Sequence, residues 1–242
     1  MPAELRNAQT LRPTSFELGF QVSADGSCLI KQGNTHVLCS ASLETRVPGW
    51  MVGKGSGWIT AEYGMLPAST HRRTDREAAK GKQQGRTVEI QRLIGRSLRQ
   101  AVDLTALGER TLTIDCDVLN ADAGTRCAAI TGGWVALAMA LRKHGLETAL
   151  VRQVAALSVG ILSQNEGRQG AVADLTYEED HRAAVDANLV GARLRSGGEL
   201  ELVEFQATGE GRPYTKAEAA VLLELGLTGI ESLMALQLEA LK

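Results

Sequence analysis

An α+β fold with sheets covered by helices follows from three features of the sequence. Residues 112–118 alternate, with Leu112, Ile114, Cys116 and Val118 on one side and Thr113, Asp115 and Asp117 on the other, which is the period of a half-buried strand. Cys127 to Leu141 then runs apolar on nearly every side, as a buried helix does. The order of strands followed by two helices comes twice along the chain, which points to two similar β-α halves, 1–144 and 145–242, packed as one unit.

Each element has its own local reason. Residues 1–15 carry no periodicity and read as an extended arm or a disordered tail. Cys28-Leu29-Ile30, a Gly33-Asn34 turn and His36 to Ala41 predict a hairpin. Residues 46–57, with Pro48, Trp50 and several glycines, predict a loop, and Trp58 to Tyr63 a further short strand. Ser69 to Gln84 is polar and reads as a surface loop with some helix. Gly85 opens an amphipathic helix with the core stripe Ile90, Leu93, Ile94, Leu98 and Val102. Arg142, Lys143 and His144 suit the last turn of the buried helix, and Gly145 its stop. In the second half, Val154 to Leu162, Ala171 to Tyr177, Ala187 to Leu194 and Leu200 to Thr208 read as strands. Thr215 to Glu218 is a capping box opening a helix through about Leu225, and Ile230 to Leu241 is a last amphipathic helix.

A chain of 242 residues can bury a full core. No apolar run approaches the ~20 residues that crossing a bilayer requires. Met1 to Arg6 has no apolar stretch of the secretory kind, so a cytoplasmic protein with no membrane partner is expected. Cys28, Cys39, Cys116 and Cys127 sit among apolar or small residues without a Cys-x-x-Cys pair, and are read as reduced, mostly buried thiols. No His and Cys cluster at zinc spacing. The net charge is only −2, but its distribution is uneven. Between 72 and 99, Arg72, Arg73, Arg76, Lys80, Lys82, Arg86, Arg92, Arg96 and Arg99 face only Asp75, Glu77 and Glu89. Such a local excess attracts phosphates; a solvated charged loop is the alternative reading.

Two stretches carry chemistry. Gly124-Thr125-Arg126 lies on a turn that opens a helix, where free N–H groups and the positive end of the dipole favour an anion. Thr125 adds a hydroxyl donor, and Arg126 a planar fork suited to phosphate. A helix cap beside a surface charge would look the same. Arg86 begins the other helix, a poor place for a cation unless an anion sits between it and the N–H groups. The second stretch is acidic. Asp180 and Asp186 bound a short connection, read as a single turn, that would put both carboxylates at one sheet edge. There they could hold Mg²⁺ or share acid–base work; an acidic solvated loop is again the alternative.

Several blocks in order give the chain a resemblance over nearly its whole length. They are Leu11-Arg12-Pro13, Gly57 to Pro67, Arg76 to Gln83, Gly85 to Ile94, Asp115 to Leu119, Gly124-Thr125-Arg126, Asp174-Leu175, Tyr177, Glu179-Asp180, Asp186 and Asn188. They resemble the ribonuclease PH family of phosphorolytic 3′→5′ exoribonucleases, which trim tRNA 3′ ends. The resemblance implies two β-α halves of ribosomal-protein-like fold and a homo-hexamer built as a trimer of dimers. It implies inorganic phosphate as co-substrate, held by Arg86, Gly124, Thr125 and Arg126, with Asp180 and Asp186 as the catalytic, Mg²⁺-holding acids. tRNA precursors would be the partners, met by Arg72, Arg73 and Arg76, with Arg92 and Arg96 beside them. Asn120, Ala123 and Ala207 depart from the family pattern, which has Gln, Gly and Gly there, and the segment after Gly145 is shorter than usual. Ala123 alters the cradle if its position needs a positive φ. A non-catalytic RNA-binding ring subunit is the rival reading; it would be expected to lack the arginines or the acids.

Overall fold

The computed structural model describes residues 7–162 and 170–242. Its first sheet begins as a meander of β1 (Thr14–Leu18), β2 (Gly26–Gln32) and β3 (Thr35–Glu44), the last two being the expected hairpin. A loop with one 3₁₀ turn at Gly49–Met51 leads to β4 (Trp58–Met65). The basic segment holds only the short α1 (Glu77–Lys80) before α2 (Gly85–Arg99). Val102, placed on the α2 stripe by its spacing, lies beyond the helix end and is buried there. After α3 (Leu104–Leu107), β5 (Thr111–Asn120) enters the sheet parallel to β4, giving the order β1-β2-β3-β5-β4. Parallel neighbours need a crossover, and α2 supplies it. Its geometric consequence shapes the site. The C-terminal ends of β4 and β5 lie at the same sheet edge, so α2 and the following α4 (Thr125–Lys143) both begin at that edge.

The second sheet is antiparallel, in the order β7-β6-β8-β9, from β6 (Arg152–Leu162), β7 (Gly170–Ala173), β8 (Ala183–Leu194) and β9 (Glu201–Thr208). The short α5 (Tyr177–Arg182) joins β7 to β8, and α6 (Lys216–Ala240) closes the fold. Helix α4 lies between the sheets, against β2 and β3 on one side and β6 on the other. That is why it is apolar all round. Gly132 and Gly133 allow the close approach: a Cβ on Gly132 would stand 2.7 Å from Ile30 Cγ2. Trp134 is fully buried, and its indole N–H donates to the Arg152 carbonyl at 3.0 Å.

Five sequence expectations are corrected. Of the stretch 1–15, the described residues 7–15 are not a loose arm: Ala8 O accepts from Ala173 N at 2.8 Å, Arg12 is buried, and β1 has begun by Thr14. The strand expected to reach Tyr177 stops at Ala173, because Asp174 takes φ +57° and Thr176 forms a capping box with Glu179 that starts α5. The connection between Asp180 and Asp186 is therefore the end of a helix rather than a single turn. The two final helices are one. Gly226 and Gly229 do not break it; each lies against a leucine of the sheet, Leu189 and Leu157, where a Cβ would clash. By length and composition α6 is apolar enough to cross a membrane, contrary to the expectation that no segment is. Its Leu222, Ile230, Leu233 and Met234 are instead buried on β6, β7 and β8.

Candidate active site

Where α2 and α4 begin, the structure opens a cleft of about 320 Å³. Arg86 enters from the first turn of α2, and Gly124, Thr125 and Arg126 from the start of α4. Asp180 comes from α5 and Asp186 from β8; all six line this one cleft. The parallel β4–α2–β5–α4 path brings the two arginines together, and the second sheet carries the acids to face them. Its α4-facing side is apolar beneath the helix body, at Val154, Ala156, Val190 and Ala192. It turns polar at Ser158, Asn188 and Asp186, level with the helix start.

The cradle turn is held from below. Gly124 takes φ +66°, and Ala123 before it takes φ +58°. Thr35 Oγ1 donates to the Ala123 carbonyl at 2.6 Å and accepts from Asp122 N at 3.0 Å. Arg12 donates to the Asp122 carbonyl. Its Nε and Nη2 both reach Asp174 Oδ1, at 3.0 and 2.6 Å, and Gln32 Nε2 donates to the same oxygen at 2.9 Å. Asp122 Oδ1 accepts from Tyr177 N at 2.8 Å. One buried network thus ties the cradle of the first sheet to the acid-bearing turn of the second.

Arg126 Nη1 lies 3.2 Å from both Glu89 Oε1 and Gln206 Oε1, two residues outside the cleft lining, which hold its guanidinium in place. The Tyr63 hydroxyl meets Thr125 Oγ1 at 2.8 Å, both groups buried. Burial, then the nearby Asp186, pushes the Asp180 carboxyl above the usual carboxylate range, while Arg86 and Arg126 pull it down. Asp186 is also raised, first by burial and then by Glu210. Its Oδ1 is buried without a hydrogen-bond partner among the described residues. Two facing carboxylates that repel, one with an unpartnered oxygen, are oxygen donors of the kind a divalent cation takes. No group of three or more metal-binding side chains occurs among the described residues.

The RNA-contact candidates lie outside the cleft. Arg72 and Arg73 are exposed on the loop above it, Arg73 beside Asp75 at 3.3 Å. Arg76 lines an adjoining hollow of about 270 Å³ that shares Arg86 with the cleft. Arg92 and Arg96 line a broader groove between α2 and β4, where Arg96 pairs with Glu204 at 2.6 Å. Sequence reasoning passed over three features. One is the Arg12–Asp174 hub. Another is Ser158, hidden in an apolar-looking strand. The third is a ring ladder at the mouth: His71 meets Tyr177 at 5.9 Å, and Tyr177 stacks on His181 at 6.2 Å.

Ala123 sets up a test of backbone strain. An L-residue in the left-handed region costs about 1–2 kcal/mol, more than the extra unfolded-chain entropy of glycine, roughly 0.5–1 kcal/mol. Ala123→Gly should therefore stabilise the protein by about 0.5–1 kcal/mol in urea unfolding. A destabilised variant would mean that the methyl packs better than its backbone suffers.

The description "3′ exoribonuclease family, domain 1" matches residues 10–143. Proteins named ribonuclease PH from Brucella ovis and Brucella canis are each 54% identical over 238 residues, covering 96% of both chains. Among solved structures, rice Rrp46 aligns with TM-score 0.78 at 19% identity, over 99% of this chain and 100% of its own. An Archaeoglobus fulgidus exosome with RNA bound to the active site aligns with TM-score 0.76 at 17% identity, over 95% and 90%. These two likenesses concern the fold alone.

Proposed function

The chain belongs to the 3′ exoribonuclease family, and from that premise we propose how its cleft works as a phosphate-dependent 3′→5′ exoribonuclease. The observation that carries the reading is the convergence of Arg86, the Gly124–Arg126 helix start, Asp180 and Asp186 on one cleft. Orthophosphate sits between Arg86 and the α4 N-terminus. One of its oxygens attacks the phosphorus of the terminal RNA linkage in line. A new P–O bond forms, and the bond to the 3′-oxygen of the penultimate nucleotide breaks. A nucleoside 5′-diphosphate leaves, and the shortened RNA takes a proton at that oxygen. The reverse reaction adds nucleotides from diphosphates.

Both reactants are anionic, so positioning and charge neutralisation are most of the protein's task. The guanidinium groups and the helix end cover the attacking phosphate, and Thr125, oriented by Tyr63, adds a hydroxyl. The raised carboxyl of Asp180 or Asp186 can keep a proton for the departing oxygen. Asp180 and Asp186 are the residues that would hold Mg²⁺, which when bound would supply further charge neutralisation. Arg72, Arg73, Arg76, Arg92 and Arg96 guide the RNA backbone, and the His71–Tyr177–His181 ladder offers a stacking surface that any base can use. tRNA precursors as substrate, a hexamer assembled as a trimer of dimers and a cytoplasmic location complete the proposal, and the family relationship is what supports them. The test is incubation with RNA, with and without phosphate. Nucleoside diphosphates should appear only with phosphate, and release of monophosphates without it would contradict the reading.

The raised acids also affect stability. A carboxyl with a raised folded pKa binds more protons folded than unfolded. Its cost to the fold is absent at low pH and complete above the folded pKa. Asp180→Asn, measured in EDTA, should therefore raise Tm near pH 8, and the gain should vanish as pH falls below the ordinary carboxylate range of ~4. A lowered Tm near pH 8 would show that the carboxylate is stabilising as it stands.

A further inference from the structure

We infer that Ser158 is a fourth wall of the phosphate cradle, its hydroxyl donating a hydrogen bond to the bound orthophosphate. Ser158 lies on β6 and is only 5% exposed. Its Oγ has no hydrogen-bond partner among the described residues, yet it lines the cleft. It stands directly against the cradle turn: a Cβ built on Gly124 would be 3.4 Å from Ser158 Oγ and 3.2 Å from Arg12 Nη2. The two residues before it on the same side, Val154 and Ala156, are buried beneath α4.

An alanine there would continue the core with no polar group to satisfy. The hydroxyl instead carries the desolvation penalty of an unpartnered buried group, which native proteins retain where a missing partner supplies the bond. The partner must be able to accept, must enter from the cleft and must lie beside Gly124. An oxygen of the anion held by Gly124 and Arg126 meets all three conditions. Asp186 Oδ1, the other unpartnered buried atom of the cleft among the described residues, is when ionised an acceptor with nothing to donate, so it suits a cation or a proton rather than this anion.

The inference rests on the phosphorolytic reading, and Ser158→Ala tests it separately. With wild type and variant both turning over RNA, KM for phosphate should rise about tenfold, while KM for RNA stays within about twofold. Without phosphate, the variant's Tm should equal or exceed that of wild type, because an unsatisfied group has been removed. The rise in Tm that inorganic phosphate produces should shrink. An unchanged KM for phosphate would overturn the inference. So would a rise in KM for RNA alone, or a Tm lowered by several degrees without phosphate, which would give the hydroxyl a partner within the protein. The thermal shift reports anion binding without turnover. A normal shift with no diphosphate released from RNA would therefore sink the reaction rather than the role of Ser158.

Discussion

Arg126→Ala should lower phosphorolytic kcat/KM by at least about 10²-fold, the scale of losing one preorganised charge-stabilising donor, while RNA affinity stays within a few fold. The guanidinium lies inside the cleft beside Gly124 and is held between Glu89 and Gln206. The arginines proposed to follow the RNA backbone lie elsewhere, on the loop and along α2. Steady-state kinetics against phosphate, beside filter binding of RNA, would separate the two roles. Turnover near the wild-type rate would mean that the cradle is misplaced. A parallel loss of RNA binding would make Arg126 an RNA contact instead.

The second large effect is on the fold. Asp174→Asn should destabilise the protein by about 3–5 kcal/mol, because it removes the buried carboxylate 2.6 Å from the buried Arg12 guanidinium and leaves only Asp122, partly solvated and 3.7 Å away, as countercharge. Asparagine tolerates the left-handed backbone at this position, where φ is +57°, so the variant tests the charge rather than the turn. Urea unfolding gives the value, and a loss below about 1 kcal/mol would place the hub's strength in its neutral hydrogen bonds. Arg12 also holds the Asp122 carbonyl under the cradle, so KM for phosphate should rise in whatever fraction remains folded.

The Arg12–Asp174 pair also shows why some of the site was not legible in the sequence. Its partners are 162 positions apart, and Arg12 sits in a stretch with no period, so nothing local marks it as buried. Ser158 is hidden for a related reason. Strand β6 is covered on both faces, and a single hydroxyl within an apolar run looks incidental until the helix start opposite it is known. Thr176 and Glu179 were different: the Thr-x-x-Glu spacing announces a helix start, and the expected strand to Tyr177 ran over that signal. The gap expected between Leu225 and Ile230 contains Gly226 and Gly229, and a glycine that would weaken an exposed helix permits close packing in this buried one. What could be read was set by local period and end chemistry. The alternation of β5, the all-round apolar α4 and the glycine at its start fixed where an anion could bind. The same logic flagged Arg86, a cation at the wrong end of a helix. The parallel β4–α2–β5 crossover that unites these two helix starts is a long-range fact, and only the fold displays it.

Calorimetric titration of orthophosphate into wild type and into the Arg86→Ala/Arg126→Ala double variant examines the cleft most directly. One phosphate should bind per chain of the wild type, and none measurably to the double variant at unchanged Tm. Equal binding by both proteins would contradict the assignment of this cleft to the attacking phosphate.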